Sequence, residues 1–241
     1  MGKKSKIIVF DFETGGLNPE NNPVMEIACF VTNQQEFSEG AIYDTLIKPY
    51  LGKEGKELVY DDRALQVHGI SISETEENGV SIQQMVKDLM ELFKECNKGN
   101  SGAFNRPILA GHNVSFDIAF LKYAFELCGK NLSEFVMSNN GEIVRWDTME
   151  LALQLWNDNP NGEQAYNLEA CCRKSGLGDF LAHRAVDDTR QTLNLLKTLI
   201  LEKRGSQVVK TGKQSSIDLT ANSGGVKQIK TASPERVKLK F

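Results

Sequence analysis

The sequence predicts a mixed α/β domain whose five-stranded sheet is covered by helices on both faces. Three apolar, β-prone segments come first in the chain and lie close enough together to pair as neighbouring strands. Strand-like and helix-like segments then alternate, a pattern typical of sheets that carry helices on both sides. With 241 residues, the chain has room for one such domain and a tail.

The individual elements follow from hydrophobic periodicity and from capping residues. Short apolar runs predict strands at residues 4–12, 24–32, 41–49, 108–113 and 142–146. Apolar residues at helical spacing predict helices at residues 81–96, 115–129, 148–156, 167–176 and 184–203. Ser81 is placed to cap the first of these helices and Asp147 to cap the third.

The periodicity ends near Arg204, so we expect a domain at 1–204 and a basic, flexible tail at 205–241. The tail has seven Lys or Arg residues against two acids, a net charge of +5. The net charge of the whole chain is −4, which leaves −9 for the domain. A domain this acidic is not expected to bind nucleic acid through a broad basic surface.

Cysteine usage and the N-terminus narrow the class of protein. Five cysteines without a CxxC pair suggest neither a disulfide framework nor a four-cysteine zinc site. The N-terminal apolar run is too short for a signal peptide or a membrane span. We therefore expect a cytoplasmic protein without a membrane partner.

The first chemical signal is the sequence DFETGG at residues 11–16. Asp11 and Glu13 are two residues apart on a strand, so they project from the same face. They lie at the carboxyl end of the strand, where open α/β sheets bind their ligands. Two such carboxylates repel each other unless a cation such as Mg²⁺ lies between them. Taken alone, such a pair more often marks a solvated strand end.

The second signal is GHNVSFD at residues 111–117. His112 and Asn113 end a strand, and Asp117 falls in the first turn of the next helix, where the helix dipole favours an anion. Taken alone, this segment is better explained by an ordinary helix cap and a buried, hydrogen-bonded histidine.

The third signal is HRAVDD at residues 183–188, where helix geometry separates two adjacent acids. At about 100° per residue, Asp187 points away from the apolar face of the predicted helix and should face solvent. Asp188 lies at the edge of that apolar face, from which it can reach a cleft. His183 precedes the helix and can lean over the same cleft, although a single His beside an Asp is more commonly a routine surface pair.

The three signals together predict one site. The four acids come from three elements whose ends can meet at one edge of the sheet, with His183 nearby. This set suits two-metal phosphodiester chemistry, in which two ions activate water and stabilise the leaving oxygen. An imidazole can accept the proton of that water at neutral pH.

The chain resembles the DEDDh 3'-5' exonucleases of the ribonuclease H-like fold, typified by the proofreading epsilon subunit of bacterial DNA polymerase III. The resemblance covers roughly residues 5–203 and rests on five segments in order. They are DFETGG, VHGIS, GHNVSFDIAFL, WDTMELA and HRAVDD.

The resemblance implies a role for each matching residue. The metal-binding acids would be Asp11, Glu13, Asp117 and Asp188. His183 would be the general base, and Glu13 is counted with it as catalytic. The residues bordering the terminal nucleotide would be Thr14, Leu17, His68, Asn113 and Phe116. Asp147 is instead interpreted as a cap. The implied cofactor is a pair of Mg²⁺ ions, which Mn²⁺ could replace.

The leading hypothesis is a metal-dependent enzyme that releases 5'-mononucleotides from single-stranded or frayed DNA 3' ends. One alternative keeps the chemistry and acts on short RNA or RNA tails, with DNA favoured over RNA as the partner. An alternative of another class is a non-catalytic module that docks on a replication polymerase through the tail.

Overall fold

A mixed five-stranded sheet organises the chain in a computed structural model that describes residues 5–98, 102–156, 166–180 and 183–208. The strand order is β3-β2-β1-β4-β7, in which β1 to β3 pair antiparallel while β1-β4 and β4-β7 are parallel. This confirms the predicted mixed sheet. The strands are β1 (Ile7–Thr14), β2 (Val24–Thr32), β3 (Ile42–Leu46), β4 (Ile108–Gly111), β5 (Ser138–Asn139), β6 (Glu142–Ile143) and β7 (Arg145–Asp147).

The segment at 142–146 does not form the single strand that its apolar residues predict. Asn140 and Gly141 both have positive φ angles, 51° and 84°, and turn the chain back on itself. An Asn-Gly pair favours such a tight hairpin, and it captures Glu142 and Ile143 in a two-stranded ribbon with β5. Only β7 joins the main sheet, beside β4.

Seven α-helices occupy the described ranges and include all five that were predicted. They are α1 (Asp62–His68), α2 (Ile72–Asn78), α3 (Ile82–Cys96), α4 (Ser115–Leu127), α5 (Thr148–Trp156), α6 (Leu168–Lys174) and α7 (Ala185–Val208). Ser81 caps α3 as expected, because its hydroxyl accepts a hydrogen bond from Gln84 N.

The last helix passes the predicted domain boundary at 204 and continues to Val208. The rest of the predicted tail lies outside the described residues. None of the helices in the described ranges has the length and apolar composition that a membrane crossing requires.

Alternation along β1 divides the core into two layers. Ile8, Phe10 and Phe12 pack on one face, in a cluster with residues of α3 and α4. Ile7 and Val9 point to the other face, where they share a cluster with Leu193 and Leu196 of α7. Burying each such side chain contributes about 1.5–3 kcal/mol. The sheet is therefore covered on both sides, and every second residue of β1 faces α7.

Asp147, at the end of β7, joins three elements. Its Oδ1 accepts hydrogen bonds from the backbone N–H groups of Asn113 at 3.0 Å and Met149 at 2.9 Å, and its Oδ2 accepts from Val114 N at 2.9 Å. The carboxylate thus caps α5 and holds the connection between β4 and α4. This agrees with its interpretation as a cap, and it fixes the start of the helix that carries Asp117.

Replacing Asp147 with Asn tests this junction. An amide group turns one acceptor oxygen into a donor, which would face an N–H group in a buried position. We expect Asp147→Asn to lower the free energy of unfolding by about 1–3 kcal/mol, measured by urea denaturation. Asp179→Asn is the matched control, because Asp179 is 82% exposed in its ion pair with Arg173. Equal unfolding midpoints for the two variants would contradict the assigned role.

Candidate active site

Two carboxylates continue the face of β1 that packs on α7. Asp11 and Glu13 follow Val9 at two-residue spacing, so their side chains point to the same side as Ile7 and Val9. Leu193 of α7 packs in the cluster with Ile7 and Val9. Asp188 comes five residues earlier on the same helix and therefore reaches the end of the strand. Strand alternation and helix packing thus bring three acids together.

The three carboxylates form a cluster with the dimensions of a metal site. One ligand oxygen from each of Asp11, Glu13 and Asp188 lies within 4.8 Å of the other two. Asp188 Oδ1 is buried and has no hydrogen-bond partner among the described residues. A buried acceptor without a donor is costly, and a hard cation would satisfy it. Carboxylate oxygens are the ligands that Mg²⁺, Mn²⁺ and Ca²⁺ prefer.

Asp117 reaches the cluster from the other side of the sheet. The pairing of β1 with β4 ends at Val9 and Ala110, and beyond that point Phe12 N donates to Asp117 Oδ1 at 3.1 Å. Asp117 is buried in the first turn of α4. It is not part of the three-oxygen group, but it is close enough to Asp11 for its charge to affect the pKa of that acid.

Burial, together with repulsion from neighbouring acids, raises the pKa values of the carboxyl groups at this site. Burial, followed by the charges of Asp117 and Glu13, raises the pKa of Asp11 well above its usual value. Burial raises the pKa of Glu13 to about 8, assisted by Asp188, and the pKa of Asp117 to about 8. The pKa of Asp188 rises to about 6, again through burial. A divalent cation would offset this concentration of negative charge.

His183 lies directly before α7 with an exposed side chain and a φ angle of +76°. Such a left-handed conformation costs a non-glycine residue about 1–3 kcal/mol and persists only where neighbouring contacts enforce it. One such contact is the hydrogen bond from His183 N to Asp188 Oδ2 at 3.1 Å. The backbone of His183 is therefore tied to Asp188 of the carboxylate cluster, while its side chain remains open to solvent.

The two adjacent aspartates of α7 have different surroundings, as the helix geometry predicted. Asp187 points outward and accepts a hydrogen bond from Arg190 Nη1 at 3.2 Å, with its side chain 49% exposed. Asp188 points inward to the carboxylate cluster.

The five residues predicted to border the substrate differ in accessibility. Leu17 is 85% exposed, Asn113 is exposed with a φ angle of +54°, and Phe116 is half-buried against Phe120. Thr14 is buried, and its hydroxyl donates to Gly16 O at 2.7 Å. His68 is buried and accepts a hydrogen bond from Ile70 N through Nδ1 at 3.0 Å. Leu17 and Asn113 are thus the most accessible of the five.

Both ring nitrogens of His112 form hydrogen bonds to other parts of the fold. Its Nδ1 lies 2.8 Å from Thr148 Oγ1 and its Nε2 lies 2.8 Å from Tyr166 O. The ring thereby connects the end of β4 to α5 and to the segment before α6. This matches the simpler interpretation of the GHN segment, a hydrogen-bonded structural histidine.

Two charged residues near the cluster were missed from the sequence. Glu26 is the third residue of β2, pairs in register with Glu13, and is 2% exposed. Arg184 forms an ion pair with Glu26 at 2.6 Å. An acid inside the apolar run VMEIACFVT was the available signal, because an ionised side chain in a buried strand requires a partner.

The raised pKa values predict how stability depends on pH. Between about pH 5 and pH 8, the metal-free folded protein keeps protons that unfolded carboxyl groups, with pKa values of about 4, have released. Its free energy of unfolding should therefore fall as pH rises through this range. Urea unfolding in a chelator measures this, and Mg²⁺ should restore most stability near pH 8, where it replaces protons.

A Glu13→Gln variant is the control for this pH dependence. It removes one carboxyl group whose pKa is raised to about 8, so its unfolding free energy should change less with pH than that of the wild type. Identical slopes for the two proteins would show that the cluster is not the origin of the effect.

Comparisons with known proteins place this geometry in a family. The RNase_T family model, described as "Exonuclease", matches residues 8–196. The DNA polymerase III PolC-type protein of Thermotoga petrophila is 27% identical over 91% of this chain, which spans only 14% of that relative. Ribonuclease T of Buchnera aphidicola is 27% identical over 80% of this chain and 82% of its own length.

A solved structure shows the same fold. Escherichia coli Exonuclease I in complex with a dA16 oligonucleotide superposes with a TM-score of 0.65 at 19% identity, covering 86% of this chain and 43% of that one. Since the family model spans most of the sequence, the chain belongs to the RNase_T exonuclease family, as a DEDD-type 3'-5' exonuclease domain of the ribonuclease H-like fold.

Proposed function

We propose that the chain is a divalent-metal-dependent 3'-5' exonuclease that releases 5'-mononucleotides from single-stranded or frayed DNA 3' ends. The observation that carries the proposal is the convergence of Asp11, Glu13 and Asp188 within 4.8 Å. Asp117 and His183 lie next to that cluster, and membership of an exonuclease family supports the reaction class.

In this proposal, the four acids would hold two Mg²⁺ ions, or Mn²⁺ in their place. When bound, such ions activate a water molecule and stabilise the leaving oxygen. The chain's own residues orient the ions and move a proton. His183 accepts the proton of the attacking water, which an exposed imidazole beside the cluster is placed to do.

We also propose that the substrate binds beside the carboxyl end of β1. Leu17 offers an exposed apolar surface near the carboxyl end of β1, suited to contact the terminal base. Asn113 and Phe116 border the cleft from the start of α4. Thr14 and His68 are buried, so we assign them to the wall that shapes the turn after β1.

The choice between DNA and RNA rests on the relatives. The PolC-type polymerase favours a DNA 3' end and a role in proofreading. Ribonuclease T makes an exoribonuclease the second candidate. If the chain serves a replication polymerase, the basic tail at 205–241 is the segment we would assign to docking, through its net charge of +5.

The assignment of Asp188 predicts a sharp contrast with its neighbour. We expect Asp188→Asn to lower kcat by at least about 100-fold, because an amide is a poor replacement for a charged ligand. Asp187→Asn makes the same chemical change one residue away and should keep most of the activity, since the Asp187 carboxylate is 49% exposed and pairs with Arg190, outside the three-oxygen group. Release of mononucleotides from a 3'-labelled oligonucleotide measures both, and equal losses would refute the assignment.

The substrate class is tested by parallel digestion of single-stranded DNA, duplex DNA with matched or mismatched ends, and RNA of the same sequence. We expect cleavage from the 3' end, faster on single-stranded DNA, that stops in a chelator and resumes with Mg²⁺ or Mn²⁺. Faster RNA digestion would favour the second candidate. If the purified protein digests none of these substrates with either metal, the proposed function is wrong.

A further inference from the structure

Glu26 is an unusual residue for its position. All nine residues of β2 are buried, and Glu26 is the single one among them with a carboxyl group. It lies directly opposite Glu13 on the neighbouring strand. Like charges placed in this way across a strand pair repel each other. An ion pair in such a position generally adds less stability than an apolar pair of the same size, so the stability of the sheet does not explain why an acid is there.

The Glu26 carboxylate binds the segment that begins α7. Its Oε1 accepts hydrogen bonds from Arg184 Nη2 at 2.6 Å and Nε at 3.1 Å. Its Oε2 accepts from Ala185 N at 2.9 Å and from Arg184 Nε at 3.2 Å. The guanidinium group and a helix N–H are therefore both fixed by one buried carboxylate, a geometry that holds position more tightly than a single hydrogen bond.

The fixed segment carries the two side chains that the proposed reaction needs. Arg184 O accepts the backbone hydrogen bond of Asp188 N at 3.0 Å. His183 is adjacent to Arg184. Its backbone is left-handed, and its N–H donates a hydrogen bond to Asp188 Oδ2. Any movement of Arg184 would thus displace the imidazole and the Asp188 carboxylate together.

We propose that Glu26 is a positioning residue that, through Arg184 and Ala185 N, holds His183 and Asp188 against the Asp11 and Glu13 carboxylates. The inference rests on the proposed function, and it adds a residue that touches neither substrate nor metal. A second contact also holds the start of α7 on β2, because Thr189 Oγ1 donates a hydrogen bond to Ala28 O of that strand at 3.3 Å.

We call the contact of Glu26 with Arg184 and Ala185 N the anchor. Glu26→Gln tests it, because the variant keeps the shape of the side chain and removes the charge that pairs with Arg184. Loss of a group that orients metal ligands lowers metal affinity or activity by about 10–100-fold. We expect this loss in kcat, and also in Mn²⁺ affinity measured by calorimetry without substrate. KM for the oligonucleotide should stay within about threefold, since binding of the DNA does not involve Glu26.

Glu39→Gln is the matched control. It makes the same chemical change in an exposed ion pair, which Glu39 forms with Arg190 of α7. This variant should leave kcat and Mn²⁺ affinity unchanged. Circular dichroism and thermal unfolding establish that each variant is folded. If Glu26→Gln keeps the kcat and Mn²⁺ affinity of the control, the proposal is overturned.

Arg184 variants keep the test decisive if Glu26→Gln does not fold, because the half-exposed Arg184 side chain can be shortened without opening a core cavity, and Arg184→Lys keeps a cation beside the buried Glu26 carboxylate. Arg184→Gln should reproduce the loss of kcat, and Arg184→Lys should recover part of it. In the double variant Glu26→Gln, Arg184→Gln, the loss should be no greater than in either single variant, since both remove one interaction. Additive losses would contradict a shared role.

Failure of the proposed function would look different from failure of the anchor. A wild-type protein that digests no nucleic acid would refute the exonuclease proposal, whereas the Mn²⁺ titration needs no turnover and still reports whether Glu26 positions Asp188. An active wild type whose Glu26 and Arg184 variants bind Mn²⁺ and turn over normally would refute the anchor alone.

Discussion

Concentrating carboxylates at the end of β1 is the constraint on which the rest of the structure depends. Asp11, Glu13 and Asp188 share a space less than 5 Å across, and Asp117 adds its charge from α4. Without a counter-ion, burial and repulsion raise the pKa values of these acids, to about 8 for Glu13 and Asp117. The same repulsion makes the cluster a candidate cation site, since a bound cation would offset the negative charge that ionisation creates.

Charged side chains outside the cluster hold its elements in place. Asp147 accepts hydrogen bonds from Val114 N, at the start of α4, and from Met149 N, at the start of α5. It thereby fixes the start of the helix that carries Asp117. Glu26 binds Arg184 and Ala185 and so fixes the start of α7. In both cases a buried carboxylate accepts hydrogen bonds from the N-terminus of a helix, where the helix dipole favours negative charge. The cluster is therefore supported by acids that do not belong to it.

The sequence predicted the sheet and the larger helices well, because their hydrophobic periods are long and regular. It failed at residues 142–146, where a local Asn-Gly turn outweighed the apolar run and left only β7 in the main sheet. It separated Asp187 from Asp188 correctly, because the period of a helix assigns adjacent residues to different directions. Glu26 was missed, since its importance comes from a contact with Arg184, 158 residues away.

The sequence by itself determined which residues could do chemistry: the acids of the three motifs, their placement at element ends, and the family to which they point. These features are local, because strand alternation and helix period fix the direction of a side chain from its neighbours. Only the tertiary structure decided which acids meet, that Thr14 and His68 are buried while Leu17 is exposed, and that Glu26 anchors α7. These depend on how sheet and helix pack, and packing joins residues that the sequence keeps far apart.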